Sequence, residues 1–161
     1  MSDTLFRFFG TPSVVHASGQ LTHNAYGIVE QLAAEPGFAT PLHVHTREDE
    51  SFYIIEGEVA FILDGKWQRA NAGSFVYGPR NIPHGFKITG NKPARLLIFA
   101  APSGFEQFVL ELATPLNAPP APPDLEKLVA TAATYGIQIL GPLPDSPAEM
   151  PTVPVATLPP A

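Results

Sequence analysis

No cysteine occurs anywhere in the 161 residues. Disulfides and thiolate metal sites are therefore excluded, and any metal must be held by His, Asp or Glu. Basic residues are few: nine Lys and Arg stand against fifteen Asp and Glu, a net charge of −6. That balance argues against a general nucleic-acid or acidic-membrane surface. No apolar run approaches the roughly 18 residues of a membrane span. No basic region followed by an apolar one stands at the N-terminus, so the expected location is the cytoplasm. No internal repeat is visible. Charged residues make up 15% and apolar residues 45%, which fits one folded domain with a sizeable core.

What is present reads mostly as strands. Leu5-Phe6-Arg7-Phe8-Phe9 is an aromatic edge strand or packing arm, and Val14-Val15-His16 a brief strand before the turn-rich Ser18-Gly19. Tyr26 to Ala34 alternates, with Tyr26, Ile28, Glu30 and Leu32 on one face. Ser51 to Ile55, Val59 to Leu63 and Lys66 to Arg69 follow, the last two joined by Asp64-Gly65, a strong hairpin signal. Ser74 to Tyr77, Gly85 to Ile88 and Ala94 to Ala100 complete the series. Short strands with a turn every eight to twelve residues predict an antiparallel sandwich or small barrel.

The pattern changes at Ser103. Ser103 and Glu106 form a capping box before a helical stripe of Phe105, Phe108, Val109 and Leu112. Asp124 caps a second helix with Leu125, Leu128, Val129 and Ala132 on one stripe and Gly136 past its end. Ile137 to Leu140 is a closing strand. Seven of the nineteen prolines lie after Leu140. The predicted division is one domain over 1–140, with a barrel core at about 24–101 and helices at about 104–136, then a Pro-rich tail, 141–161, as an extended or disordered arm.

The chemistry gathers at His43-Val44-His45-Thr46-Arg47-Glu48-Asp49-Glu50. On a strand, residues two apart face the same way, so both imidazoles point to one side. Imidazoles and a carboxylate converging on one point form a ligand set for first-row metals. His16 and His23 have no such neighbours at ligand spacing and read as surface or otherwise satisfied histidines.

Gly37, His43, His45, Glu50 and Gly57 reproduce G-x5-H-x-H-x4-E-x6-G, the first motif of the cupin superfamily. Gly73, Pro79 and His84 match the second, G-x5-P-x-G-x2-H-x3-N, with Asn81 for its inner glycine and Ile88 for its asparagine. The sequence resembles a single-domain cupin over Gly37 to Ile88. Asn tolerates the positive φ of the replaced glycine. Glu48 and Asp49 compete with Glu50 as the carboxylate, but only Glu50 is a glutamate at the motif's distance from Gly57.

The resemblance implies an all-β double-stranded β-helix with C-terminal helices. It also implies that His43, His45, Glu50 and His84 bind one divalent transition metal: Fe, Ni, Mn, Co, Cu or Zn. Three neutral imidazoles and one carboxylate leave positions open for water, substrate or dioxygen, as catalytic sites do. Glu50, Phe52 and Ile54 share one strand face, and His84, Phe86 and Ile88 another. With Tyr26 and Ile28, Phe52, Ile54, Phe86 and Ile88 are the expected lining of a substrate pocket. No Arg or Lys stands in phase on the motif strands, Lys87 being out of phase, so a sugar phosphate is not the expected ligand. The Gly104-Phe105-Glu106-Gln107-Phe108 helix, the Pro-rich link and Tyr135-Gly136-Ile137 look like those of quercetin 2,3-dioxygenase-like monocupins. That likeness implies cleavage of a flavonol-like aromatic substrate by dioxygen, with Glu50 as ligand and base. The alternatives are a non-catalytic ligand-sensing cupin or another cupin enzyme, such as a thiol or acid dioxygenase, an isomerase or a decarboxylase. Apolar outward strand positions and the aromatic N-terminal segment predict a homodimer.

Overall fold

The computed structural model of the protein describes residues 4–161. The strands are β1 (Phe6–Phe8), β2 (Thr11–Ala17), β3 (Gly27–Ala34), β4 (Leu42–His45), β5 (Asp49–Glu56) and β6 (Glu58–Leu63). They continue with β7 (Lys66–Asn71), β8 (Phe75–Gly78), β9 (His84–Thr89), β10 (Ala94–Ala101), β11 (Thr114–Pro115) and β12 (Ile137–Gly141). The helices are α1 (Gly19–Thr22), α2 (Phe105–Leu112) and α3 (Leu125–Thr134). The strands form two antiparallel sheets, ordered β11-β1-β2-β3-β10-β5-β8 and β12-β4-β9-β6-β7. This is the predicted all-β barrel with C-terminal helices.

Alternation dictates how the sheets face each other. On β10, Ala94, Leu96, Ile98 and Ala100 are buried while Arg95, Leu97 and Phe99 turn outward. Phe52 from the first sheet meets Phe61 and Phe86 from the second at ring separations of 4.9 and 5.6 Å. Each such buried ring contributes about 1.5–3 kcal/mol by leaving water. The hairpin between β6 and β7 turns through Asp64 (φ 49°) and Gly65 (φ 76°). Two positive φ angles give the primed turn whose twist suits paired strands.

Several local expectations change. Phe6 and Phe8 bury inside their own chain, so the N-terminal aromatics are core and not an outward surface. The strand expected at Val14 runs from Thr11 to Ala17, and α1 follows where only a turn was read. Helix α2 is capped by Gly104 and not by Ser103. Glu106 still reaches back, accepting backbone N–H bonds from Gly104 and Gly19 at 2.8 Å each. Asp124 caps α3 as expected, accepting from the Lys127 N–H at 3.0 Å.

The Pro-rich tail takes the extended form. Arg69 N–H donates to Pro151, and Val153 N–H donates to the Arg69 carbonyl, both at 2.8 Å. The tail thereby covers part of the open edge of β7, which would otherwise present unpaired backbone groups. Closer to the barrel, Pro142 to Asp145 lie over the end that carries the histidines.

Glu30 on β3 is buried, and His16 and Arg95 both bond to its carboxylate. His16 is thus a satisfied histidine. Burial pushes the Glu30 carboxyl up, but the His16 hydrogen bond and the bond and charge of Arg95 outweigh it and hold it below its ordinary value. A carboxyl depressed on folding stabilises above its unfolded pKa and loses that contribution as pH falls through its folded pKa. Glu30→Gln is expected to lower unfolding stability by about 1–2 kcal/mol at neutral pH. The gap from wild type should close as pH falls through the acid range. Urea unfolding at several pH values checks this, and a pH-independent gap contradicts it.

Candidate metal centre

The two sheets bring four side chains to one point. His43 and His45 project from β4, and His84 opens β9, where it pairs with His43. Glu50 comes from β5 of the opposite sheet. All four are buried, and their ligand atoms lie within 4.8 Å of one another. The four residues matched to the two motifs therefore converge. Asn81, at the position of the replaced glycine, has φ 65°, and its N–H donates to the His45 carbonyl at 2.7 Å.

Each imidazole is held from behind by its Nδ1. His43 Nδ1 lies 2.7 Å from the Pro41 carbonyl and His84 Nδ1 lies 3.1 Å from the Ile82 carbonyl. His45 Nδ1 lies 2.7 Å from Glu48 Oε1. Partners that only accept place the proton on Nδ1 and leave Nε2 to face the centre. There the Nε2 atoms of His43, His45 and His84 stand 3.9, 3.0 and 2.7 Å from one oxygen, Glu50 Oε2. His45 Nε2 is buried and, despite the short approach to Glu50, makes no aligned hydrogen bond.

Three Nε2 lone pairs around a carboxylate repel one another unless positive charge lies between them. The electrostatics follow this need. Burial disfavours charge on His45, yet Glu50 and Glu48 raise its pKa to about 10. Burial likewise pushes Glu50 up, but the charge on His45 beside it and the close approach of the His43, His45 and His84 imidazoles, His84 hydrogen-bonding at 2.7 Å, hold it well below the carboxylate range. His43 is lowered, first by burial, despite Glu50 beside it. A divalent cation can replace protons as the positive charge, since metal binding and deprotonation of the ligands are linked. The donor set, three imidazoles and one carboxylate, fits a first-row transition metal.

A cavity of about 830 Å³ opens on His43, His45 and Glu50. Its inner wall carries Phe8, Phe38, Phe86, Ile98, Phe105 and Phe108. Its outer wall carries Leu125, Leu128 and Val129 of α3, then Ile137, Ile139 and the segment Pro142 to Asp145. Of the expected pocket residues, only Phe86 lines it. Phe52, Ile54 and Ile88 are almost wholly buried in the core, because small-barrel interiors fill with side chains. Tyr26 is 45% exposed and Ile28 partly so, outside the cavity. Lys87, out of phase along β9, nevertheless reaches the rim and donates to Ser146 Oγ at 3.0 Å.

The rival carboxylates find other work. Asp49 accepts from the backbone N–H and the guanidinium of Arg80. Glu48 turns to His45, a role that its place three residues after a histidine left unread. The contribution of α3 and the tail to the cavity was also missed. Its sequence signal was the apolar stripe of α3, of which Leu125, Leu128 and Val129 line the cavity.

The cupin domain model matches residues 32–100. An uncharacterized protein of Methanocaldococcus jannaschii is 34% identical, over 52% of this chain and 70% of its own length. Quercetin 2,3-dioxygenase of Bacillus subtilis is 25% identical over 69% of this chain, which spans only 32% of that enzyme. Among solved structures, an RmlC-like cupin from Shewanella frigidimarina superposes with a TM-score of 0.57. It is 18% identical, and the match covers 66% of this chain and 89% of that one. With both motifs, two facing antiparallel sheets and the four-residue cluster between them, the chain belongs to the cupin superfamily.

Proposed function

We propose that this cupin is a metal-dependent dioxygenase that cleaves a flavonol-like aromatic substrate. The observation that carries the reading is the apolar cavity ending on Glu50, His43 and His45. Its volume lies within the roughly 300–1,000 Å³ of sites that enclose drug-sized ligands. Phenylalanine walls favour a flat aromatic body over a sugar phosphate, and Lys87 at the rim is already engaged by Ser146. The kinship with quercetin 2,3-dioxygenase supports the same chemistry.

His43, His45, Glu50 and His84 would hold the ion. A bound divalent metal would supply Lewis acidity toward the hydroxyl-bearing end of the substrate. The chain's residues do the rest. Glu50 faces the cavity and can accept the hydroxyl proton. The phenylalanines exclude water and so strengthen electrostatic interactions within the site. Oxygen uptake tests the reading directly, with protein loaded in turn with Fe, Mn, Co, Ni, Cu and Zn. The expected result is oxygen consumption matched to flavonol loss with at least one metal. Flavonol binding without oxygen uptake under all six would make the chain a ligand-binding cupin. Turnover of thiols or diketones instead would make it a different enzyme.

The proposal includes a twofold homodimer. Tyr53, Phe75 and Tyr77 are 40%, 55% and 51% exposed. Tyr53 pairs with Phe75 across β5 and β8, on the outer face of the first sheet. Such an aromatic face is stable when covered, and a second copy is the commonest cover. Light scattering at micromolar concentration is expected to give a dimer mass, and Phe75→Asp should shift it toward monomer. A monomer mass for wild type contradicts the assembly.

A further inference from the structure

We infer that Glu48 is a positioning residue for the metal centre: it fixes the tautomer and angle of His45 and so sets how tightly the ion is held. The inference rests on the metal reading of the four-residue cluster. Its basis is the asymmetry among the three imidazoles. The Nδ1 atoms of His43 and His84 meet neutral backbone carbonyls, whereas that of His45 meets a buried carboxylate at 2.7 Å. Glu48 is 3% exposed and His45 1%. A charge-assisted hydrogen bond out of water is about twice as strong as a neutral one. It also draws the Nδ1 proton away from the ring, which makes Nε2 a better electron donor.

The surroundings keep this contact rigid. The His45 ring stacks on His84 at 5.3 Å and meets the edge of Phe105 at 5.6 Å. The short connection that carries Glu48 is pinned at both preceding residues. Thr46 donates its N–H and its hydroxyl to the Gly136 carbonyl, at 2.9 and 2.7 Å. Arg47 donates to the Thr134 carbonyl at 3.1 Å. Gly136, at φ 71°, leaves no room for a larger residue, since an added Cβ would stand 2.7 Å from Thr46 Oγ1. The end of α3 thus holds the connection, the connection holds Glu48, and Glu48 holds His45. Counting Glu48 with Glu50, two carboxylates balance the charge of a divalent ion.

Chelator competition with Co²⁺ at fixed pH, together with the Co²⁺ visible spectrum, tests the role. Glu48→Gln keeps an acceptor of the same shape without the charge, and Glu48→Ala removes both. The expected order of affinity is wild type, then Gln, then Ala, with a total loss of about 10–100-fold, the usual effect of removing such a partner. The spectrum should shift in the Ala variant as the ring tilts. Asp49→Asn removes a neighbouring negative charge that contacts Arg80 and not a histidine, and should leave affinity and spectrum unchanged. A purely structural Glu48 would move the melting temperature of the metal-free protein and neither of these readouts. Equal Co²⁺ affinity in wild type, Gln and Ala overturns the inference while leaving the metal reading intact. Equal losses in Asp49→Asn and Glu48→Gln overturn it in favour of a general charge effect. Failure of the wild type itself to take up Co²⁺ overturns both the metal reading and this one.

Discussion

Replacing His43 and His84 together with alanine is expected to abolish metal uptake while leaving the barrel folded. The two rings pair across β4 and β9, with centroids 4.5 Å apart. Losing both leaves His45 and Glu50, half of the proposed set. Two ligands from opposite sheets cannot by themselves enclose an ion whose catalytic sites ordinarily offer three or more. The fold should survive because most of its core packing lies outside the cluster. Phe52, Phe61, Ile54 and Leu96 are at most 1% exposed, and Phe52 keeps its contacts with Phe61 and Phe86 when its edge contact with His84 is lost. Truncating two buried rings leaves space behind and costs a few kcal/mol. It also removes two of three imidazoles that crowd one carboxylate, which offsets part of that cost. Elemental analysis of the variant beside wild type, with circular dichroism for the fold, gives the result. Full metal content in the double variant would sink the ligand assignment.

The second large effect concerns Glu50. In Glu50→Gln, saturating metal should restore occupancy but not turnover of a flavonol substrate. An amide has the carboxylate's shape and cannot accept a proton. A positioned base contributes about 10²–10⁴-fold, so rescue and failure to rescue are well separated. Oxygen Oε2 of Glu50 lies 2.7 Å from His84 and 3.0 Å from His45. The same carboxylate stands at the inner end of the cavity. It is therefore placed both to ligate and to meet a hydroxyl arriving from the apolar side. Glu50→Asp keeps the charge but withdraws it by one methylene, and should keep metal better than activity. Near wild-type turnover by metal-saturated Glu50→Gln would mean that the proton goes elsewhere, and the mechanism would have to be given up.

The cluster was legible because it obeys short-range rules. His43 and His45 share a face through strand period, and Glu50 and His84 are fixed by motif spacing. Asn81 was readable as a left-handed position because few other side chains tolerate one. The barrel was readable from alternation, as on β10. The cavity was not. Phe52, Ile54 and Ile88 share faces with the site, as expected, but periodicity tells which side a residue takes and not how far along the barrel the packing closes. The space opens toward the end where α2, α3 and the tail converge. Phe105, Leu125 and Leu143 reach it through contacts far apart in sequence, and no local pattern encodes these. Proline density marked the tail as irregular without showing that it would lie over the site. Glu48 was visible only as a competitor for the metal, since the spacing does not reveal that its carboxylate turns back to His45 Nδ1.

The most direct measurement is the metal content of the purified wild-type protein, before and after exposure to chelator and reloading. One divalent transition ion per chain, removed by chelator and restored on reloading, is the expected result. Protein that is purified without metal and then takes up none of Fe, Mn, Co, Ni, Cu or Zn would contradict a metal centre at His43, His45, Glu50 and His84.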